Sequence, residues 1–109
     1  MARDEGLEEL LREDLKLEAG LTEKAMFGGQ AWLLHGHLLC GARDDGMLVR
    51  LGKGNDGWAL ELGDINPMIM RGRAMQGWVR AGPKAFGDDV LRRKLLEAAL
   101  AFVRALPAK

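Results

Sequence analysis

The sequence predicts an α+β fold, a two-layer domain with an antiparallel sheet packed against helices. Three observations predict it. A leucine stripe at helical spacing opens the chain, alternating apolar runs separated by glycine- and aspartate-bearing turns fill its middle, and a second helical stripe closes it. With 109 residues the chain has the size of one domain and can build one core without disulfides or metals. Residues 1–109 are expected to form that single domain.

Residues 4–18 form the first helix, because Leu7, Leu10, Leu11 and Leu15 share one stripe. Asp4 and Glu5 suit the positive end of its dipole, Glu8 stands one turn before Arg12, and Gly20 is the expected stop. A strand over Lys24–Phe27 bends at Gly28-Gly29, a glycine pair that suggests a bulge, and continues through Gln30–His35. His35-Gly36-His37 turns into Leu38–Ala42. Asp44-Asp45-Gly46 holds the Asp-Gly hairpin signal ahead of Met47–Leu51. Alternation there puts Met47, Val49 and Leu51 on one face, with Leu48 and Arg50 on the other.

Gly52-Lys53-Gly54 breaks the sheet. Asn55 or Asp56 then caps a short helix through Leu62, expected to bury Trp58, Ala59 and Leu62. Pro67 introduces a strand over Met68–Met70, and Arg71-Gly72-Arg73 turns into Ala74–Arg80. Gly87 or Asp88 caps the last helix. Its stripe is Leu91, Leu95, Ala98, Ala99, Phe102, Val103 and Leu106, with Leu96 and Leu100 off it and Pro107 as the stop. The order is αβββαββα.

Sixteen bases balance sixteen acids, so no global field selects nucleic acid or an anionic membrane. The charge is unevenly spread: residues 1–20 hold seven acids against three bases, and much of the basic excess lies between Arg71 and Arg104. No apolar run reaches membrane-spanning length, and the acidic start lacks a signal-peptide core, so a cytoplasmic protein without membrane contact is expected. A single cysteine, Cys40, excludes an intrachain disulfide.

No constellation assembles chemistry. His35, His37 and Cys40 lie close together, yet zinc needs three or four converging ligands and Cys40 is at odd spacing from His37. Cys40 sits in an apolar run that reads as buried strand, where a thiol is a packed hydrophobe. Gly52-Lys53-Gly54 lacks the rest of a phosphate-loop pattern. The methionines read as core filling. No catalytic, cofactor or metal residue is therefore assigned, and the chain is expected not to be an enzyme.

The chain resembles the N-terminal domain of TfoX/Sxy-type proteins. The matching signals are Met26-Phe27-Gly28-Gly29, Trp32 with Gly36, Leu48-Val49-Arg50, Asn66-Pro67-Met68 and Gly72-Arg73-Ala74-Met75-Gln76-Gly77-Trp78-Val79. The resemblance implies an αβββαββα fold similar to secretion chaperones and a role like that of a competence regulator's N-terminal domain. In that family the full-length regulators add a C-terminal domain, which this chain, ending at Lys109, is expected to lack. The family has no accepted active site, so none is carried over.

The last strand suggests a contact surface. If Met75, Gly77 and Val79 pack under the helices, then Gln76, Trp78 and Arg80 face the other way, and Arg50 joins them. Exposed tryptophan and arginine mark interfaces. The expectation is a non-catalytic module acting through protein contacts, as a homodimer or with an unidentified protein, at Arg50, Gln76, Trp78 and Arg80. The alternative is nucleic-acid binding by a basic patch of Arg71, Arg73, Arg80, Lys84, Arg92, Arg93 and Lys94, with Trp78 for stacking.

Overall fold

A computed structural model describes residues 4–26 and 28–107. Helix α1 (Glu5–Leu15) starts at Asp4, whose carboxylate accepts from the Leu7 N–H at 2.9 Å. Leu7, Leu11 and Leu15 are buried and Leu10 half-buried. The helix ends ahead of Gly20, which instead shapes the turn into the sheet with φ 81.

Four strands follow where three were expected: β1 (Leu21–Met26), β2 (Gly29–Leu34), β3 (His37–Arg43) and β4 (Gly46–Arg50). The glycine pair marks a reversal, since Met26 pairs with Gly29 and Gly28 has φ 77. A bulge and a two-residue turn call for the same glycine, so the residues alone did not separate them. Phe27, the expected end of the first strand, lies outside the described residues. Helix α2 (Gly57–Leu60), strands β5 (Ile65–Met70) and β6 (Arg73–Ala81), and helices α3 (Pro83–Phe86) and α4 (Asp89–Arg104) complete the chain. The α+β class stands; the order gains one strand and one short helix.

The strands run in the order β1-β2-β3-β4-β6-β5, every neighbouring pair antiparallel. Two of the turns place both central residues in the left-handed region that tight hairpins need: His35 (φ 52) with Gly36 (φ 86), and Arg71 (φ 54) with Gly72 (φ 77). β5 begins before Pro67, which is tolerated because β5 is an edge strand.

Register sorts the sheet into two faces. Trp32, Cys40, Val49 and Val79 form one cross-strand row, and Ala42, Met47, Ala81 and Ile65 another. These residues are buried in one cluster with Leu7, Leu11 and Leu15 of α1, Ala59 of α2, Ala85 and Phe86 of α3, and Leu95, Ala99 and Val103 of α4. All the helices thus lie on one side. The opposite row takes one residue from each strand: Lys24, Ala31, Gly41, Leu48, Arg80 and Asn66.

Two helices differ from expectation. α2 stops at Leu60, leaving Leu62 38% exposed, and the Asp56 carboxylate does not cap it. Asp88 caps α4 as expected, accepting from Val90 and Leu91, but Leu96 and Leu100 are buried while Leu91, Ala98 and Phe102 are only partly so. The apolar arc of α4 is wide enough to hold two stripes, and the contact with α1 and the sheet selects between them.

Candidate functional site

Arg50, at the end of β4, and Trp78, in β6, are direct cross-strand partners on the helix-free face, and Leu48 is paired with Arg80 on the same face. Thr22, Leu33 and Leu38 line the same face in β1, β2 and β3. Leu33, Leu38, Trp78 and Arg80 are half-buried, whereas Ala31 and Leu48 are almost fully enclosed by their neighbours.

Gln76 does not complete the set by simple alternation. Pro67 pairs with Val79 and Ile69 with Ala74, so residues 75–78 lie opposite Met68 alone. The extra length buckles at Gly77, which has φ 85. Its carbonyl accepts from the Leu51 and Gly52 N–H groups at 2.7 and 3.1 Å, and its own N–H donates to the Asp56 carboxylate at 3.3 Å. A β-carbon on Gly77 would lie 2.5 Å from the Gly52 backbone, and one on Gly52 would lie 2.5 Å from the Phe102 ring. Strand, loop and α4 are therefore stacked in direct contact, and the regular odd-even pattern expected for residues 74–80 holds only from Trp78 onward.

Two arginines of this face, Arg50 and Arg80, are held by groups other than carboxylates. The Arg50 guanidinium lies 6.0 Å from the Trp78 ring centroid and 5.5 Å from that of Phe102, and donates to the Leu38 carbonyl at 3.4 Å. Arg80 donates to the Asp45 carbonyl at 2.7 Å. Arg43, at the end of β3, pairs with the Asp45 carboxylate at 3.1 Å. Arg43, Asp45, Leu48, Asn66, Pro67, Met68, Ile69 and Arg80 enclose a cavity of about 300 Å³ beside Leu48.

Charge is segregated along the strands. Their basic residues are Lys24, Arg43, Arg50, Arg73 and Arg80, and their sole carboxylate is Glu23 at the β1 edge. Glu23 shares a register position with Trp32, on the helix side, and accepts from Arg12 and Gln30. In a chain of zero net charge, this sorting is not a by-product of composition.

Arg92 does not join the basic patch of the alternative reading. Arg92 is 2% exposed and spans α1 and α4, with its Nε 2.6 Å from Asp14, while its Nη1 donates to Asp89 and to the Phe86 carbonyl. Burial works against its charge, and the hydrogen bonds to Asp14 and Asp89 outweigh that effect, so its pKa lies above the ordinary arginine value. The same contact pulls the Asp89 carboxylate below its ordinary value. Arg93 lies 3.5 Å from Asp14, Lys94 rests 4.9 Å over the Trp58 ring, and Arg71 and Arg73 belong to the β5–β6 hairpin.

Cys40 is fully buried on the helix side, and desolvation pushes its thiol well above the usual range. His37 meets the Pro107 carbonyl at 2.5 Å, and the His35 ring lies where a Gly20 β-carbon would project. Among the described residues no group of histidine, cysteine and carboxylate side chains is placed to hold a metal. No helix is long and apolar enough to cross a membrane.

Several residues of the face escaped sequence reasoning. Arg43 stands just past the strand expected over Leu38–Ala42, and Met68 is among the methionines that read as core filling, yet both line the cavity beside Leu48. Leu33 carried a usable signal, since it alternates with the core residue Trp32, whereas Leu38 stands two residues from Cys40 and reaches this face only through the register shift between β2 and β3. The Asp56 link to Gly77 carried none, because it joins elements distant in sequence.

A family model described as the TfoX N-terminal domain matches residues 13–103. No curated protein and no solved structure matches the chain.

Proposed function

The chain belongs to the TfoX N-terminal domain family, and from that premise we propose that it is a non-catalytic regulatory module working through protein contacts at the helix-free face of its sheet. The carrying observation is the apolar content of that face. Leu33, Leu38 and Trp78 are half-exposed around Ala31 and Leu48, and no helix shields them. A contiguous apolar patch ringed by polar side chains is the signature of a binding surface, and arginine and tryptophan are its commonest anchors.

A second copy would make the protein a homodimer; a different protein would leave it monomeric in isolation. Light scattering on wild-type, Leu38→Glu and Trp78→Ala proteins, each verified as folded by circular dichroism, separates these arrangements. Pull-down with the same variants then measures capture of other proteins. Unchanged oligomeric state together with unchanged capture in both folded variants would remove this face from the function.

A further inference from the structure

Resting on that reading of the face, we infer that its partner is an acidic segment of another protein that seats an apolar side chain in the cavity beside Leu48. The argument starts from the charge sorting. Lys24, Arg43, Arg50 and Arg80 stand on this face, and no strand residue there is acidic. Asp45, in the β3–β4 turn, brings a carboxylate to its rim, and that carboxylate is paired with Arg43. Arg50 and Arg80 meet rings and carbonyls, which leave their positive charge uncompensated.

This pattern discriminates among occupants. A second copy docked face to face would set mostly cations against cations or neutral groups, because the Asp45 carboxylate at the rim is already paired with Arg43 in each copy. Like-charge juxtaposition of that kind costs several kcal/mol and is a common device against wrong partners. Nor does a neighbouring copy's α1 serve as the acidic ligand, because its leucine stripe is already buried in its own core. Nucleic acid would find cations but few stacking platforms, since among the described residues of the face Trp78 is the aromatic ring and Arg50 already lies over one side of it.

The cavity supplies the other half of the recognition. Its apolar walls are Leu48, Met68, Pro67 and Ile69, and its polar rim is Arg43, Asp45, Arg80 and Asn66, with Asp45 paired to Arg43. A volume of about 300 Å³ is ample for one leucine- or phenylalanine-sized side chain. Ile69 is 59% exposed at its edge and gains cover when a partner arrives. Carboxylates flanking the inserted side chain then meet Arg80 and Arg43, with the planar guanidinium fork suited to bidentate pairing.

The test is a titration of ¹⁵N-labelled full-length protein, followed by amide NMR shifts, with three synthetic peptides of equal length. One alternates glutamate with leucine, one lysine with leucine, and one glutamate with serine; a short DNA duplex is the fourth probe. The glutamate–leucine peptide is expected to shift amides around Arg43, Leu48, Asn66 and Arg80. Its affinity should fall at least tenfold in Arg80→Glu and in the milder Arg80→Gln, fall with added salt, and stay unchanged in Arg93→Glu on α4. Equal binding of the lysine–leucine peptide at the same amides would overturn the acidic partner while leaving the face a protein-contact surface. Stronger binding of DNA there would replace protein with nucleic acid. Shifts confined to the helices, or none with any probe, would overturn both this inference and the functional reading beneath it.

Discussion

Glycine at position 77 is dictated twice over, by backbone geometry and by space. Its φ of 85 is costly for any residue with a β-carbon, and that carbon would sit 2.5 Å from both the Gly52 carbonyl carbon and the Lys53 nitrogen. Gly77→Ala is therefore expected to destabilise the protein by more than about 3 kcal/mol in urea unfolding, since strain and overlap add. Gly72 has nearly the same φ, 77, with open space around it. Gly72→Ala should cost only the conformational penalty, about 1–2 kcal/mol. Equal effects at the two sites would mean that the Gly52 contact contributes nothing. Cys40 makes a second residue-scale prediction. A thiol buried beyond solvent's reach and pushed upward in pKa should resist an aromatic disulfide reagent in the native state and react on unfolding. The sign of the linkage follows from the raised value. The unfolded chain releases this proton first, so Cys40 does not oppose folding at neutral pH and begins to do so as pH rises past the ordinary thiol value of about 8.5. A Cys40→Ala variant should lose that alkaline decline relative to wild type.

Between α1 and α4 the buried Arg92–Asp14 pair sets both register and stability. Asp14 is only 6% exposed in its side chain, so Asp14→Ala leaves the buried Arg92 Nε without its partner and, with Asp89 still in place, should cost about 2–3 kcal/mol. Replacing both partners, as Asp14→Leu with Arg92→Met, should recover most of that loss, a comparison that urea denaturation resolves. This pair also shows where sequence reading reaches its limit. Arg92 follows the cap of a surface-looking helix among Arg93 and Lys94, and nothing local tells the buried arginine from the exposed ones. The Asp88 cap, the turns at Gly36, Gly46 and Gly72 and the leucine stripe of α1 were legible because their causes lie within a few residues. Leu96, Leu100 and the buckle at Gly77 were not, because each is decided by an element far away in the chain. The β1–β2 hairpin was missed because a bulge and a tight turn ask for the same glycine. The candidate face was half legible. Alternation correctly put Trp78 and Arg80 opposite Val79, and Arg50 opposite Val49, whereas Gln76 depended on a strand regularity that the contact with Gly52 abolishes.

At the scale of the molecule, the helices form one layer on one side of the sheet, and the strands carry no carboxylate besides Glu23. The acidic character of the first twenty residues is thereby separated from a basic sheet face, and the zero net charge conceals a dipolar particle. Association of the wild-type protein with acidic surfaces should weaken markedly between low and physiological ionic strength, and retention on an anionic column should drop in an Arg43→Gln, Arg80→Gln variant with its fold intact. The strand order has a consequence in time. β1 to β4 form a continuous meander and β5–β6 a hairpin, so all strand pairings but one join neighbours in sequence. The exception, β4 beside β6, is the seam where Arg50 meets Trp78 and Val49 meets Val79. Local pieces assemble quickly, whereas closing the loop over α2 carries an entropy cost before any contact rewards it. Joining that seam is then the slow step of folding, and Val79→Ala should depress the refolding rate where Ala25→Gly, in the outer hairpin, mainly accelerates unfolding. The surface offered to a partner would thus come into being last, and no partially assembled chain would present it.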